Sequence, residues 1–168
     1  KGLAYKFFRL KELEQYSAAD VIGVQSPANL EYFAQSLPNK RYELEVVHNW
    51  TTLDKQEFVP YNYREQLGMQ GKVVFFYGGN IGVAQDIDNI IRLAVALEAE
   101  PHIEFLLVGD GSEVERLKAL IDEKALTNIR ILPPVGQQEY LAMLSEFDVG
   151  LVSLDKRLQT QNFPGKIL

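Results

Sequence analysis

The sequence predicts an α/β fold: a Rossmann-like parallel sheet with helices on both faces, incomplete at both ends. Two patterns support this prediction. Short runs made almost wholly of Val, Ile, Leu and Phe alternate with segments whose apolar residues recur every three or four positions. The runs are typical of strands buried on both faces of a parallel sheet, and the alternation is typical of βαβ units with right-handed crossovers.

The first fifty residues predict a helix, a strand, a second helix and a second strand. The first helix has an apolar stripe formed by Leu3, Phe7, Leu10 and Leu13. A strand is predicted at residues 19–25 and another at residues 44–48. Between them, Ser26 is expected to cap a helix with Pro27 at its first helical position, and this helix is expected to end near Pro38.

A second unit is predicted to follow a linker. Residues 1–50 form the first unit, residues 51–71 lack a sustained period and form the linker, and residues 72–168 form the second unit. Strands of the second unit are predicted at residues 73–77, 103–108, 129–132 and 149–154. The three helices between them have stripes built on Ile87, Ile90, Ile91, Ala94 and Leu97, on Val114, Leu117 and Ile121, and on Tyr140, Leu141, Leu144 and Phe147. Asp86 is expected near the first helix start, and Ser112 to Glu115 predict a capping box.

Composition excludes several classes of function. The 168 residues carry a formal net charge of -6, which argues against a broad nucleic-acid-binding surface. The absence of cysteine excludes a disulfide framework, and no His, Asp or Glu cluster has metal-ligand spacing, so no metal and no cofactor is predicted. No apolar run approaches the roughly 20 residues that span a bilayer. We therefore expect a cytoplasmic protein.

Positive charge collects near the end of the chain. Residues 71–148 contain 6 Lys and Arg against 13 Asp and Glu. Residues 149–168 contain Lys156, Arg157 and Lys166 against Asp155 alone. These cations, beside Pro164 and Gly165, predict a site for a diphosphate; a solvated basic loop is the alternative.

Ligands of such sheets bind at the carboxyl ends of the strands, where the first glycine loop (residues 78–82) follows the first strand of the second unit. Gly78, Gly79 and Gly82 would let backbone amides approach a phosphate, with Asn80 among them. The alternative is that a strand-to-helix turn needs glycine simply to turn. The glycine spacing differs from GxGxxG. A nicotinamide dinucleotide site also needs an acidic residue roughly 20 residues beyond the glycines. Asp110 lies 28 residues past Gly82, which weakens the interpretation as a nicotinamide site.

Two further loops end at the same predicted edge. The second glycine loop (residues 109–111) contains Gly109 and Asp110, which either face a nucleotide or sugar or form a tight turn. The third, Pro133 to Gly136, would present the backbone of Val135 to a flat base, or would act as a rigid connector.

Taken together, these motifs resemble a known family. The ordered runs are FFYGGNIG, IEFLLVGDGSEVERL, NIRILPPVGQQEYLAML, FDVGLVSL and NFPGKIL. They resemble the donor-binding half of retaining glycosyltransferases of family four, which have the GT-B fold, and most of all the bacterial enzymes that build surface polysaccharides. SAADVIGVQSPANLEYF and LEVVHNWTTLD resemble the end of the acceptor domain and the segment joining the two halves.

The resemblance implies roles for individual residues. Gly79 to Gly82 would lie against the donor phosphates and sugar, Val135 against the base, and Pro164 to Leu168 near the diphosphate and ribose. Of the family's paired glutamates, the first falls at Gln161 and the second lies beyond Leu168. Many members of the family have Arg and Lys in and just after the first glycine loop, where these residues bind the donor phosphates. Residues 79–86 of this chain contain no Lys or Arg, so the resemblance implies that Lys156, Arg157 or Lys166 binds the phosphates instead.

The implied function is transfer of a hexose or amino sugar, with retention, from a nucleotide diphosphate sugar to a glycan or lipid-linked acceptor. We expect the parent protein to act at the inner face of the membrane, and the present chain to be inactive alone. Open strand edges and apolar faces predict that the chain either associates with copies of itself or packs its N-terminal helix over the exposed sheet. Two alternatives remain: a non-catalytic nucleotide-binding or interaction module, and a nucleotide-sugar epimerase.

Overall fold

The computed structural model describes residues 2–37, 42–48 and 61–158. They belong to two compact units, one within residues 2–48 and the other at residues 61–158. The first contains α1 (Leu3–Ser17), β1 (Val21–Val24), α2 (Pro27–Ser36) and β2 (Glu43–Val46). The second contains α3 (Tyr63–Gln66), β3 (Val73–Gly78), a 3-10 turn (Val83–Gln85), α4 (Asp88–Ala96), β4 (Ile103–Val108), α5 (Val114–Glu123), β5 (Ile129–Leu132), α6 (Gln137–Glu146) and β6 (Val149–Gly150).

In the first unit, β1 and β2 pair in parallel. Both strands are shorter than predicted. The predicted helix start is confirmed, because Ser26 is the N-cap of α2 and Pro27 is its first residue. The Asn29 side-chain oxygen accepts hydrogen bonds from the Ser26 backbone N–H at 3.0 Å and from the Ser26 hydroxyl at 2.8 Å, which fixes the entry of the chain into the helix. Phe33 of α2 is buried in the small core of this unit.

The second unit is built on a four-stranded parallel sheet in the order β5-β4-β3-β6. The chain moves outward from β3 to β4 and β5, then crosses back to place β6 on the other side of β3. The central strands pair over six residues, from Val73 opposite Ile103 to Gly78 opposite Val108. The crevice outside β3 and β6 is therefore the topological switch point, where ligands of such sheets bind.

Helices cover both faces of this sheet, which confirms the predicted fold class. Alternate strand residues point to opposite sides. On one side, Tyr77, Phe105 and Leu107 pack against residues of α4 and α5. On the other, Phe76 and Leu106 pack against residues of α3 and α6. Strands buried on both faces account for the nearly uninterrupted apolar runs in the sequence.

Two predicted elements differ from the structure. The strand predicted at residues 149–154 is only the two residues of β6, because the chain then leaves the sheet and the Asp155 N–H bonds to the Ala84 carbonyl at 2.9 Å. The capping box at Ser112 is absent, and Glu113 is instead the N-cap of α5. The Glu113 N–H bonds to the Ile81 carbonyl at 3.1 Å, so the first glycine loop fixes where this helix begins.

The start of α4 also differs in detail. Asp86 precedes the helix in a left-handed conformation with φ 44° and ends the 3-10 turn. The carboxylate in the first turn of α4 belongs to Asp88, where the positive end of the helix dipole stabilises its negative charge.

Candidate functional site

A pocket lies at the carboxyl ends of β3, β4 and β5 within the second unit. Its volume is about 490 Å³. Five of its lining residues are predicted site residues: Gly79, Asn80, Gly109, Asp110 and Val135. The other four are Val108, Pro134, Gln137 and Tyr140. The three loops singled out in the sequence thus surround one cavity, as expected for strand ends of a parallel sheet.

Tyr140 is the pocket residue that sequence reasoning missed most clearly. Its position in an apolar stripe predicted a core residue, and its ring does pack 5.7 Å from the Phe76 ring, between centroids. The ring also covers Gly78, where an added Cβ would lie 2.0 Å from Tyr140 Cε2. Burial raises the pKa of the Tyr140 hydroxyl. Gly78 therefore lies behind the Tyr140 ring and does not itself line the pocket.

The backbone of the first glycine loop is held by the neighbouring loop. Gly79 has φ 124°, a conformation that favours glycine. Its N–H bonds to the Val108 carbonyl at 2.9 Å, and the Ile81 N–H bonds to the Asp110 carbonyl at 2.8 Å. The expectation that the amides of this loop are free for a phosphate is wrong for these two, because the loop continues the hydrogen bonding of the strands that precede it.

The second glycine loop closes this interlock. A Cβ at Gly109 would lie 1.9 Å from the Gly79 carbonyl oxygen, and a Cβ at Gly111 would lie 2.3 Å from the Ile81 carbonyl oxygen. The Asp110 carboxylate accepts the Gly111 N–H at 2.7 Å. Asp110 thus forms the tight turn that was one of its two interpretations, and it also lines the pocket.

Gly82 differs from the other glycines of its loop. Its N–H bonds to a side-chain atom, Gln85 Oε1, at 3.2 Å. The same oxygen accepts a hydrogen bond from Asn80 Nδ2 at 2.9 Å. The Asn80 carbonyl accepts the Tyr77 hydroxyl at 2.7 Å, and burial raises the pKa of Tyr77 to about 12.

The segment after β6 reaches the same edge of the sheet. Besides the bond between Asp155 and Ala84, the Ser153 hydroxyl donates to the Asp86 carbonyl at 3.2 Å. These contacts place Lys156 and Arg157 beside the 3-10 turn that follows the first glycine loop. The structure therefore brings together two segments that the sequence separately predicts to bind a phosphate or diphosphate.

Arg157 is already engaged by a carboxylate. Its Nε and Nη2 donate to the two oxygens of the buried Asp155 side chain at 2.9 and 2.6 Å. Hydrogen bonds from Arg157 lower the pKa of Asp155 to about 2, so the pair is ionised at neutral pH. The expectation of a cation fully available to phosphate must be corrected for Arg157. Lys156 has no carboxylate within 4 Å among the described residues, and its charge contributes to the lowered pKa of Asp155.

Two more ion pairs lie near this edge. Asp86 approaches Arg92 at 3.6 Å and Asp88 contacts Arg116 at 2.6 Å. The hydrogen bonds that Arg116 donates to the Asp88 carboxylate are the largest cause of the raised pKa of Arg116. Arg116 also contacts Glu113 at 2.7 Å, so both arginines are engaged by carboxylates of the protein.

Four predicted site residues lie outside the described residues: Gln161, Pro164, Gly165 and Lys166. Their roles stay predictions. Among residues 2–37, 42–48 and 61–158, no group of three or more His, Asp or Glu side chains is placed to hold a metal ion. No helix in those same ranges combines the length and apolar character that crossing a membrane requires.

No family model matches the sequence. WcaI of Escherichia coli (strain K12), which bears the name colanic acid biosynthesis glycosyl transferase, is 28% identical over 178 residues, covering 99% of this chain and 44% of WcaI. WbjE of Pseudomonas aeruginosa, which is named a glycosyltransferase, is 28% identical over 169 residues, covering 98% of this chain and 42% of WbjE. The chain thus spans less than half the length of these curated relatives.

Solved structures agree with the fold. S. aureus TarM, crystallised with UDP and other ligands, matches 79% of this chain and 25% of its own with a TM-score of 0.62 at 13% identity. The lipopolysaccharide outer core galactosyltransferase WaaB matches 80% of this chain and 37% of its own with a TM-score of 0.52 at 17% identity. The resemblance is therefore confirmed: this chain is similar in sequence to bacterial glycosyltransferases and has the parallel α/β fold of GT-B enzymes.

Proposed function

We propose that the protein containing this chain transfers a hexose or amino sugar, with retention, from a nucleotide diphosphate sugar to a glycan or lipid-linked acceptor in surface polysaccharide synthesis. One observation carries the proposal: the pocket at the carboxyl edge of the sheet, bordered by both glycine loops and the Val135 loop, in a chain similar to named glycosyltransferases. TarM was crystallised with UDP, which is consistent with a nucleotide at this edge.

The residues present suit binding and stabilisation of a diphosphate leaving group. As the bond to the anomeric carbon breaks, negative charge develops on the diphosphate, and donors already aimed at it lower the barrier. Asn80, the Gly82 N–H and Lys156 are the candidate donors on this chain. Arg157 contributes a cation whose charge is shared with Asp155. No metal or cofactor is invoked, and the donor sugar is the second substrate beside the acceptor.

The other parts of the proposal concern the whole protein. We place it in the cytoplasm at the inner face of the membrane, where a lipid-linked acceptor would be met. The present chain is expected to bind a nucleotide but not to sustain transfer, because an acceptor must be held against the donor by groups beyond the pocket. Self-association of the chain also stays an expectation, for which light scattering is the direct measurement.

Binding of nucleoside diphosphates to the chain tests the proposal. In isothermal titration calorimetry, uridine or guanosine diphosphate is expected to bind, and the corresponding nucleoside is expected to bind more weakly because it lacks the diphosphate. If neither uridine diphosphate nor guanosine diphosphate gives a measurable heat of binding, the result would contradict the proposal and favour the non-catalytic interaction module.

Lys156→Ala provides a residue-specific test of the same idea. Loss of one exposed cation is expected to weaken binding of the diphosphate by about threefold at low salt, with a smaller effect at high salt. Lys118→Ala is the matched control, since Lys118 pairs with Glu115 on the exposed surface of α5. Equal effects of the two substitutions would show that Lys156 does not contact the ligand.

A further inference from the structure

In the whole sequence, Asp110 is the one aspartate or asparagine that is followed by glycine. The backbone nitrogen of the residue after an aspartate can attack the side-chain carbon Cγ of that aspartate and close a five-membered succinimide ring. A side chain on the following residue shields its nitrogen from this attack, whereas glycine has no side chain. Sequence alone therefore sets the bond between Asp110 and Gly111 apart from every other aspartyl or asparaginyl bond of the chain.

The structure holds the two groups of this reaction against each other. The Gly111 N–H donates to Asp110 Oδ1 at 2.7 Å. Because Cγ is bonded directly to that oxygen, the same contact keeps Cγ close to the Gly111 nitrogen. Atoms about to form a bond react fastest from such an arrangement, in which they lie about 3–3.5 Å apart. Asp110 is also exposed, so water reaches the side chain.

Packing between the two glycine loops makes glycine necessary at position 111. A Cβ added there would lie 2.3 Å from the Ile81 carbonyl oxygen and 2.5 Å from its carbonyl carbon. Both are backbone atoms, so no side-chain rotation makes room. A larger residue that would shield the nitrogen would therefore also push the two loops apart. The close packing of the loops keeps the reactive pair in the chain.

We propose that Asp110 is a site of spontaneous modification, at which the folded chain isomerises to isoaspartate. The Gly111 nitrogen forms a bond to Asp110 Cγ, and the proton of this nitrogen leaves with the side-chain hydroxyl as water. Water then adds to one of the two carbonyls of the succinimide. Addition at Cγ restores aspartate. Addition at the main-chain carbonyl breaks its bond to the Gly111 nitrogen, so the backbone then runs through Cβ and Cγ. One water is lost and one is gained, so the mass is unchanged and no co-reactant is needed.

Isomerisation breaks the contact between the two glycine loops. The Asp110 main-chain carbonyl accepts the Ile81 N–H at 2.8 Å. In isoaspartate this carbonyl becomes part of a free carboxylate on a side branch, and the backbone to Gly111 is one carbon longer. The Gly111 carbonyl, which accepts the Val114 N–H at 3.3 Å, moves with it. The Ile81 amide should therefore lose protection against hydrogen exchange. The modification needs no bound ligand, so it is independent of the proposed function.

Incubation of the folded chain in heavy-oxygen water measures the reaction, because each hydrolysis of the succinimide adds one solvent oxygen whichever carbonyl is attacked. Proteolysis and mass spectrometry then locate the label, and chromatography separates the isoaspartate peptide from the aspartate peptide of equal mass. Asp122 is the internal control, since it is exposed on α5 and is followed by Glu123. We expect at least about tenfold more label at Asp110 than at Asp122, the ratio produced by a barrier difference of about 1.4 kcal/mol.

Asp110→Glu is the matched variant, because its ring would have six members and close less readily, so its label should fall to the level of Asp122. Circular dichroism melting establishes that this variant is folded. Gly111→Ala is unsuitable, since the added Cβ collides with the Ile81 carbonyl. In the chain that contains isoaspartate, the Ile81 amide should exchange faster than in the fresh chain, as measured by nuclear magnetic resonance.

Three results would overturn the inference and leave the proposed function untouched. The first is label at Asp110 no greater than at Asp122 in the folded chain. The second is equal labelling of the unmodified chain and Asp110→Glu, which would show that the oxygen enters by another route than the succinimide. The third is an unchanged exchange rate of the Ile81 amide once isoaspartate has formed.

Discussion

Gly109→Ala is expected to lower the free energy of unfolding of the second unit by about 3 kcal/mol, at the upper end of the cost of overpacking a closely packed site. The new Cβ would lie 1.9 Å from the carbonyl oxygen of Gly79 and 2.9 Å from its carbonyl carbon. These are backbone atoms, so no side-chain rotation relieves the clash. Gly109 is itself fixed, because its N–H bonds to the Leu132 carbonyl at 3.1 Å.

Urea denaturation followed by circular dichroism measures the effect. Gly150→Ala is the matched control, since the same methyl group added at Gly150 meets no atom within 4 Å, and a change below about 0.5 kcal/mol is expected there. The Gly109 variant should also lose affinity for nucleoside diphosphates, because both colliding residues line the pocket. A Gly109→Ala variant as stable as the control would show that the loops are not interlocked as described.

The glycine loops illustrate which part of the site the sequence predicts. Their place after buried strands predicts that they meet at one edge of a parallel sheet, and the structure confirms this. Spacing along the chain does not reveal why each glycine is needed. At Gly109 the reason is the carbonyl of Gly79, 30 residues earlier in the chain. The amides of Gly79, Ile81 and Gly109 are each bonded to a backbone carbonyl of a neighbouring strand or loop. A phosphate cradle and an interlocked turn have the same local sequence.

The remaining differences have the same physical origin. Ser112 followed by Glu115 has the pattern of a capping box. The Glu113 N–H instead bonds to the Ile81 carbonyl of the first glycine loop, and the helix begins after Glu113. Residues 151–154 are apolar enough for a strand, yet β6 ends after two residues. The chain turns away from the sheet there, and the Asp155 N–H bonds to the Ala84 carbonyl. Tyr140 has the spacing of a core residue and reaches the pocket because Gly78 leaves room for its ring. Tertiary contacts decide each case, and one sequence without its folded neighbours does not contain them.

Arg64→Ala is expected to lower the free energy of unfolding of the second unit by about 2–4 kcal/mol, because it leaves several charged and polar groups without partners. The Arg64 guanidinium donates to the Glu146 carbonyl at 2.6 Å, to the Lys72 carbonyl at 2.8 Å and to Asp148 Oδ2 at 2.7 Å. It thereby joins α3 to the start of β3 and to the end of α6. It also lies 5.9 Å from the centre of the Phe147 ring.

Arg92→Ala is the appropriate control for this prediction, since the Arg92 side chain is 65% exposed and its closest carboxylate contact is 3.6 Å, and it should cost no more than about 0.5 kcal/mol. Arg64→Lys should recover only part of the loss, because one ammonium group cannot replace a planar guanidinium with three separate acceptors. An Arg64→Ala variant that unfolds at the same urea concentration as Arg92→Ala would contradict the assignment.

The pH dependence of the Arg64 variant gives an independent check. The Val74 N–H, which donates to Asp148 Oδ2 at 2.8 Å, and then the Arg64 guanidinium lower the pKa of Asp148 in the folded protein. A carboxyl group with a lowered folded pKa stabilises the fold above its unfolded pKa of about 4, and this stabilisation is lost as the pH falls through the folded pKa. Removing Arg64 leaves less of this stabilisation to lose. The difference in unfolding free energy between the unmodified chain and Arg64→Ala should therefore narrow as the pH falls from about 5 to about 3, and a difference that stays constant would show that Arg64 acts through its carbonyl contacts alone.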